Sequence, residues 1–538
     1  MKKIKTKIFL SLFVLSASVV VSCTDEYLDV PIVDEVSTTY FDNEGKIQRG
    51  IGGMYAELAN IYSANLGSSE IGRQMTIHPY WLLQADDLTN SGNSNAEYEA
   101  FAGMSASDSR NAMMWQRYYI VVNRANFMLE QIEASSDVYV DANLKDYNRG
   151  EALFFRAWAH MNIWEKWRKG PLKTEWIKSL ETTTNPPSQG FELLNAAIAD
   201  LDEAKTLLPD SWDVSNKGRV FKNSAFGLLV KANSLRANYA DEYSGGDRNG
   251  DYAKAIAAFE AIDASESTIV GVHFGENFDY RSENNMESLF EFQAGINNSE
   301  NPWLDNDYGG GNGALGAYYG YFTDHWGNYG SGGGSVGPTD KLMNAFDPTD
   351  PRRAETIGTK TWGRFGGNQF IKYINGDRGD LLDNKNGQGC CGISSGVNTR
   401  ILRLADVKLI AAEAYLQTGN SSAALTQVND VRQRARLSTS DGSESAEPAA
   451  LGSVTMQDIM DERFLELAGE EGIRWVDLRR WHAAGLEDLN SWTASDFSFP
   501  NSSDQFQFDV GTHVLFPIPA EELEANPLMR QDGNNPGY

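Results

Sequence analysis

Apolar residues return at helical spacing along most of this 538-residue chain, and no other feature limits its fold as much. Across residues 111–132 the apolar positions are Met114, Tyr118, Val121, Val122, Ala125 and Leu129, one face of a helix. Residues 151–167 repeat the pattern with Leu153, Phe154, Ala157, Met161 and Trp164, and further helices are predicted at 191–208, 223–239 and 252–262. Regular spacing then stops. From about 265 to 395 glycines, asparagines and aromatics dominate, and helices resume at 402–417, 422–435, 456–468 and 475–483.

Two of the periodic regions read as internal repeats. One runs Ala412-Glu413-Ala414-Tyr415, Gly419-Asn420, Ala423-Ala424-Leu425 and Val428-Asn429; the other covers 225–239 and resumes at Tyr252-Ala253-Lys254-Ala255-Ile256 with Phe259. Helix, short turn, helix with small residues at the crossing is tetratricopeptide logic, in which each pair buries its apolar face against the next. Gly419 fits the left-handed position that closes a helix, Ser421 can cap the following one, and Thr455 with Asp458 forms a capping signature. The predicted fold class is therefore mostly α, with tetratricopeptide-like helical pairs as a scaffold and a large irregular, loop-rich region.

The first residues point outside the cytoplasm. Lys2, Lys3, Lys5 and Lys7 precede a short apolar run over 8–21, shorter than the roughly 20 residues a membrane-spanning helix needs. The run reads as a signal peptide. Small Ser22 abuts Cys23, the arrangement of a lipoprotein whose thiol is acylated, and more than one acyl chain gives a stable anchor. Thr24-Asp25-Glu26 then reads as a tether. The chain carries a formal charge of −28 before the four lysines are removed, which argues against nucleic acid and against docking on anionic headgroups.

The two remaining cysteines are adjacent, Cys390 and Cys391, between Gly389 and Gly392. An oxidising compartment favours pairing. Neighbouring Cα atoms stand only about 3.8 Å apart, so a vicinal bridge would be strained. A rigid apolar step from such a bridge and two free thiols are both open readings. No second Cys/His pair stands at zinc-ligand spacing, and neither a metal nor a cofactor is expected.

Several segments resemble the SusD/RagB-like outer-membrane nutrient-binding lipoproteins of Bacteroidetes. They are Ala152-Leu153-Phe154-Phe155-Arg156-Ala157-Trp158, Pro338-Thr339-Asp340-Lys341-Leu342, Leu402-Arg403-Leu404-Ala405-Asp406-Val407, Val428-Asn429-Asp430-Val431-Arg432, Glu462-Arg463-Phe464-Leu465-Glu466-Leu467 with Arg474-Trp475-Val476-Asp477-Leu478-Arg479-Arg480, and the ending Leu515-Phe516-Pro517-Ile518-Pro519 to Asn535-Pro536-Gly537-Tyr538. The resemblance implies a non-catalytic protein that captures glycans at the cell surface and works with a SusC-like TonB-dependent transporter, as a lid over its barrel. It implies lipid anchoring at the outer membrane, facing the exterior, and no nucleic-acid partner. A RagB branch handles peptides instead, which is one alternative; a glycoside hydrolase is another, and no hydrolase signature occurs. The chain divides as signal peptide 1–22, tether 23–39, N-terminal helical scaffold 40–264 with a loop 86–110 near the ligand site, irregular ligand-binding region 265–400, and C-terminal scaffold 401–538. Gly469-Glu470-Glu471-Gly472 is one residue longer than the family pattern, and it is expected to stand clear of the binding region.

Ligand contacts are expected where aromatic platforms meet polar side chains, because sugars present flat C–H faces rimmed by hydroxyls. Residues 303–329 hold Trp303, Tyr308, Tyr319, Tyr321, Trp326 and Tyr329, interleaved with Asp324 and Asn328, at a density no helix or strand period explains. Tyr98 and Phe101 form a second patch, and Trp362 with the Cys390–Cys391 step completes the expected surface. Glu462, Arg463, Glu466, Arg479 and Arg480 stand at helical spacing and are expected to link helices by ion pairs rather than to catalyse. The dinucleotide-like 311–316, the elbow-like 333–337 and the calcium-like 247–251 lack the structural settings of those motifs.

Overall fold

The computed structural model describes residues 40–62, 81–89, 96–179, 183–294, 337–358, 369–373, 397–499 and 505–538. Its longer helices are α1 (Glu44–Tyr62), α2 (Ser109–Ala134), α3 (Ala142–Trp167), α4 (Glu192–Leu207), α5 (Lys222–Asn238), α6 (Arg248–Glu260), α7 (Leu404–Gln417), α8 (Ser421–Arg436), α9 (Met456–Glu466) and α10 (Ile473–Ala483). Every helix expected from apolar spacing is present, most with ends moved by a few residues, while α3 begins nine residues earlier than expected, at Ala142. α1 was not among them.

From α2 to α8 each helix packs against the next in sequence, including α6 on α7 across the irregular region. That is the tetratricopeptide-like stack, mostly α as the repeats imply. Asp108 accepts from the N–H groups of Arg110 and Asn111 at the start of α2, and Asp141 caps α3 through Asn143. Gly419 takes the left-handed conformation, φ +86°, after α7. The cap of α8 is Asn420 rather than Ser421; its side chain accepts from the Ala423 N–H one turn on. Thr455 and Asp458 close the expected reciprocal box on α9. Asp247 caps α6 through Gly250, so its calcium-like neighbours serve the helix.

Large rings and small residues alternate in the core. Trp164 and Trp167 of α3 are fully buried, and Ala225, Ala232, Ala405, Ala411 and Ala412 let α5 and α7 approach. Gly227 shows why a glycine stands inside α5, where it costs about 1 kcal/mol relative to alanine. A Cβ there would meet Leu289 at 2.8 Å and Leu402 at 3.1 Å.

Short strands interrupt the helices: β1 (Leu88–Thr89), β2 (Ser288–Phe292), β3 (Gly337–Pro338), β4 (Ile357–Gly358), β5 (Gln369–Phe370) and β6 (Thr399–Arg403). The pairs β1–β3, β2–β6 and β4–β5 are antiparallel. Leu402 and Arg403, expected to open α7, belong to β6 instead. Strand geometry aims the Arg403 guanidinium at three carboxylates described below, which a helical start would not do. Phe290 of β2 lies edge-on to Phe154, Phe155 and Trp158 of α3 at 5.2, 5.8 and 6.0 Å, so the β2–β6 ribbon is pinned to the stack.

Candidate functional site

Cys23, Trp303, Tyr308, Tyr319, Tyr321, Asp324, Trp326, Asn328, Tyr329, Trp362, Cys390 and Cys391 lie outside the described residues. The structure does place the ends from which those segments leave. Thr89 pairs with Gly337, bringing the start of 90–95 beside the end of 295–336. Gly358 pairs with Gln369 at the base of 359–368, and β5 lies against β3. Phe292 pairs with Thr399, and Asn398 accepts from the Ala294 N–H at 2.7 Å, so 295–336 begins where 374–396 ends. The Tyr62 ring, last of α1, stacks on Phe292 at 6.0 Å.

One turn ties these stems together. Gly469, Glu471 and Gly472 all have positive φ, 67°, 48° and 66°. A Cβ on Gly469 would stand 2.2 Å from the Phe370 ring of β5, and one on Gly472 would stand 2.7 Å from the Trp81 indole. The Gly469 N–H donates to Asp87 Oδ2 at 2.7 Å, just before β1. Glu470 receives Lys372 at 2.7 Å and Arg403 at 2.6 Å, and Tyr62 donates to Glu471 at 2.7 Å. The expectation that residues 469–472 stand clear of the loop region is therefore corrected: the turn sits beneath the loop stems, because only glycines allow backbone so close to Phe370 and Trp81.

Under the turn lies a buried ionic frame. Arg403 donates to Glu470, to Glu287 at 2.7 Å and to Glu466 at 2.6 Å. Arg434 pairs with Glu287 at 2.5 Å and with Glu466. Arg352 holds Asp350 at 2.8 Å, Glu462 at 2.6 Å and Glu466 at 2.9 Å, and Arg432 reaches Glu462 at 2.7 Å. Lys372 also donates to the Glu466 and Ala468 carbonyls. The cations Arg352, Lys372, Arg403, Arg432 and Arg434 thus balance Glu287, Asp350, Glu462, Glu466 and Glu470. Burial alone would raise the Glu466 carboxyl, but Arg434, Arg403 and Arg352 outweigh it and hold it well below the usual range. Burial pulls Lys372 down to about 8 against the pull of Glu470, which leaves it charged at neutral pH.

The helix-linking ion pairs expected from 462–480 are present. Arg463 joins Asp477 and Asp406, and Arg480 joins Glu413 and Asp477. Closer to β1, Asp86 accepts from Arg474 at 2.6 and 2.9 Å and from Lys341 at 2.6 Å. Burial pushes Asp87 up to about 6. A cavity of about 80 Å³ runs between α3, α5, the ribbon and α10, and Glu471 lines it. Glu471 Oε1 has no hydrogen-bond partner among the described residues, and burial pushes the carboxyl up to about 7.

Tyr98 requires a correction. It is 1% exposed, donates to Asp108 Oδ2 at 2.6 Å and has the Arg110 guanidinium over its ring at 4.9 Å. It braces the cap of α2 and offers no face for stacking. Phe101, 2% exposed, is likewise enclosed by Trp475, Phe497 and Phe508. Sequence reading missed Glu287, Asp350, Arg352 and Lys372 as frame members. The signal available was an acidic residue beside the apolar Ser288-Leu289-Phe290 run, too weak to name its partners. Among the described residues no cluster of His, Cys, Asp and Glu could hold a metal, and no helix is long and apolar enough to cross a membrane.

Among the described residues, a tetratricopeptide-like helical stack carries short paired strands over an ion-paired frame, which defines a mostly helical scaffold class. Comparison with known families is more specific. Residues 300–538 match the SusD family, and residues 26–232 match a family described as starch-binding associating with outer membrane. The chain belongs to the SusD/RagB-like family. A SusD-like protein P2 of Formosa agariphila is 26% identical over 98% of this chain and 99% of its own. Two solved structures share the fold. A laminarin-binding SusD-like protein has a TM-score of 0.69 at 22% identity, covering 93% of this chain and 100% of that one. A structure with a xylogluco-oligosaccharide has a TM-score of 0.66 at 21% identity, covering 89% and 97%.

Proposed function

We propose that this chain is a non-catalytic glycan-binding lipoprotein, anchored through Cys23 at the outer membrane, facing the exterior and delivering its ligand to a SusC-like TonB-dependent transporter. The observation that carries the reading is the gathering of loop stems. Segments 295–336, 359–368 and 374–396, which carry Trp303, Tyr308, Tyr319, Tyr321, Trp326, Tyr329, Trp362, Cys390 and Cys391, leave from or beside the paired strands β1–β3, β2–β6 and β4–β5, and the 469–472 turn meets β5, β6 and the residue before β1. Aromatic rings among Asp324 and Asn328 suit the C–H faces and hydroxyls of a saccharide. Family membership and the saccharide-binding relatives support the same reading. In the frame each carboxylate is held by arginine or lysine, and no hydrolase signature occurs in the sequence.

Native gel electrophoresis through laminarin or xyloglucan, with a reducing-end assay on the same mixtures, tests it. Retardation by at least one polysaccharide with no new reducing ends is expected. New reducing ends, or affinity for peptides and none for glycans, would overturn it.

A further inference from the structure

A groove of about 740 Å³ lies along the flank of α2, away from the strands and the 469–472 turn. Small-molecule sites commonly span roughly 300–1,000 Å³. Asn126, Leu129 and Glu130 of α2 form one wall; residues 172–178, Thr184 and Asn185 form the other. Its one aromatic ring is Trp176, half-buried and held at a fixed angle by Phe127, 4.9 Å away edge-to-face.

The chemistry of the walls selects the ligand. An extended segment such as 172–178 could in principle add a peptide strand, but three of its carbonyls and one N–H are already engaged. Asn126 donates to the Lys173 and Glu175 carbonyls at 3.1 and 3.2 Å, Arg156 donates to the Thr174 carbonyl at 3.1 Å, and the Ile177 N–H donates to Asn123 at 3.2 Å. Side chains remain as the recognising groups. Lys173 is fixed at the floor by the Thr183 carbonyl at 2.6 Å and by Asn185. Lys178 pairs with Glu130 at 2.9 Å across the rim, and its ammonium lies over the Trp176 ring, 5.7 Å from the centroid, a place that a sugar on that face would take in its stead. Lys173 and Lys178 balance Glu130 and Glu175, so the groove favours neither a polyanion nor a polycation.

We infer that this groove is a saccharide-binding site for a neutral glycan, with the Trp176 indole as its stacking platform and Thr184, Asn185, Glu130 and Lys178 as hydroxyl partners. It shares no residue with the loop-borne site, so it stands whether those loops bind glycan or peptide. A glycan chain could engage both places, and such bivalency would raise avidity.

Fluorotryptophan-labelled full chain in detergent tests the inference directly. Among the 13 tryptophans the Trp176 resonance is assigned by its loss in Trp176→Phe, which keeps a ring against Phe127. Laminarihexaose, maltoheptaose and a xyloglucan heptasaccharide are the probes, with an extended pentapeptide as comparison. At least one saccharide is expected to shift the Trp176 resonance, equally in a Trp326→Ala, Tyr321→Ala background. In that background Trp176→Ala should weaken binding about tenfold, and Trp176→Phe less. No shift with any of the saccharides, or a shift with the peptide alone, would overturn the inference. Loss of the shift together with the loop rings would assign the binding to the loops and overturn it as well.

Discussion

The helical stack and the ionic frame hold the chain together by different physics. In the stack, α3 and α4 meet through Leu193, Leu194, Ala197 and Leu201, all fully buried, and each contact is one among many. Among its first helices the buried charges come in small sets, such as Arg219 with Glu151 at 2.5 Å and Arg156 with Asp200 at 2.6 Å. In the frame, Glu466 alone accepts from Arg352, Arg403 and Arg434, and removing any one of these three arginines leaves two or more carboxylates short of a partner. Apolar packing degrades gradually with lost volume, whereas an uncompensated buried charge is costly at once. The stack can thus absorb sequence drift, and the frame fixes where the loops begin.

The largest effect should come from Arg403→Leu. Leaving Glu287, Glu466 and Glu470 underpaired is expected to cost about 3–5 kcal/mol in chemical denaturation. Arg403→Lys should recover little, since an ammonium cannot reproduce the forked donors that reach three carboxylates. A mild loss in both would show that the frame is no more cooperative than the stack. Leu194→Ala, at a fully buried site in α4, should cost about 2–4 kcal/mol and leave glycan affinity unchanged.

Titration separates the regions further. Glu466 and Asp406 are held low by their arginines and lysine, so the stability they give is present above about pH 4 and is lost on acidification. Glu471 acts in the opposite sense. Its carboxyl ionises near 4.5 in the unfolded chain and about 7 in the fold, so stability falls as pH rises between those values. Tyr62, Lys166, Lys231 and Glu470 are the groups that act on it. Glu471→Gln should flatten that slope, by about 1–3 kcal/mol at pH 8 relative to pH 5. An unchanged slope would place the titration elsewhere. The smallest effect is expected at a stack terminus: Asn420→Ala removes the α8 cap and should lower stability by about 1 kcal/mol.

The helices were legible because apolar spacing is a local signal: Met114 to Leu129 and Leu153 to Trp164 sit on buried or part-buried faces of α2 and α3. Capping was legible for Thr455, whose partner is three residues away, and off by one at Asn420, where Asn and Ser offer the same chemistry. The frame was half legible. Helical spacing marked 462–480 as linking residues, but Glu287 meets Arg403 and Arg434 across more than a hundred residues of sequence, and no local pattern encodes that meeting. Tyr98 was misread for a related reason. A tyrosine among asparagines looks like an exposed platform until Asp108 and Arg110 close on it.

Glycan binding by the rings expected in 303–329 is tested most directly at Trp326. Calorimetric titration with a retained polysaccharide, paired with thermal melting, should show Trp326→Ala binding at least about tenfold more weakly than the parent at an unchanged melting temperature. Unaltered affinity with a large drop in melting temperature would contradict this, because the ring would then belong to the core.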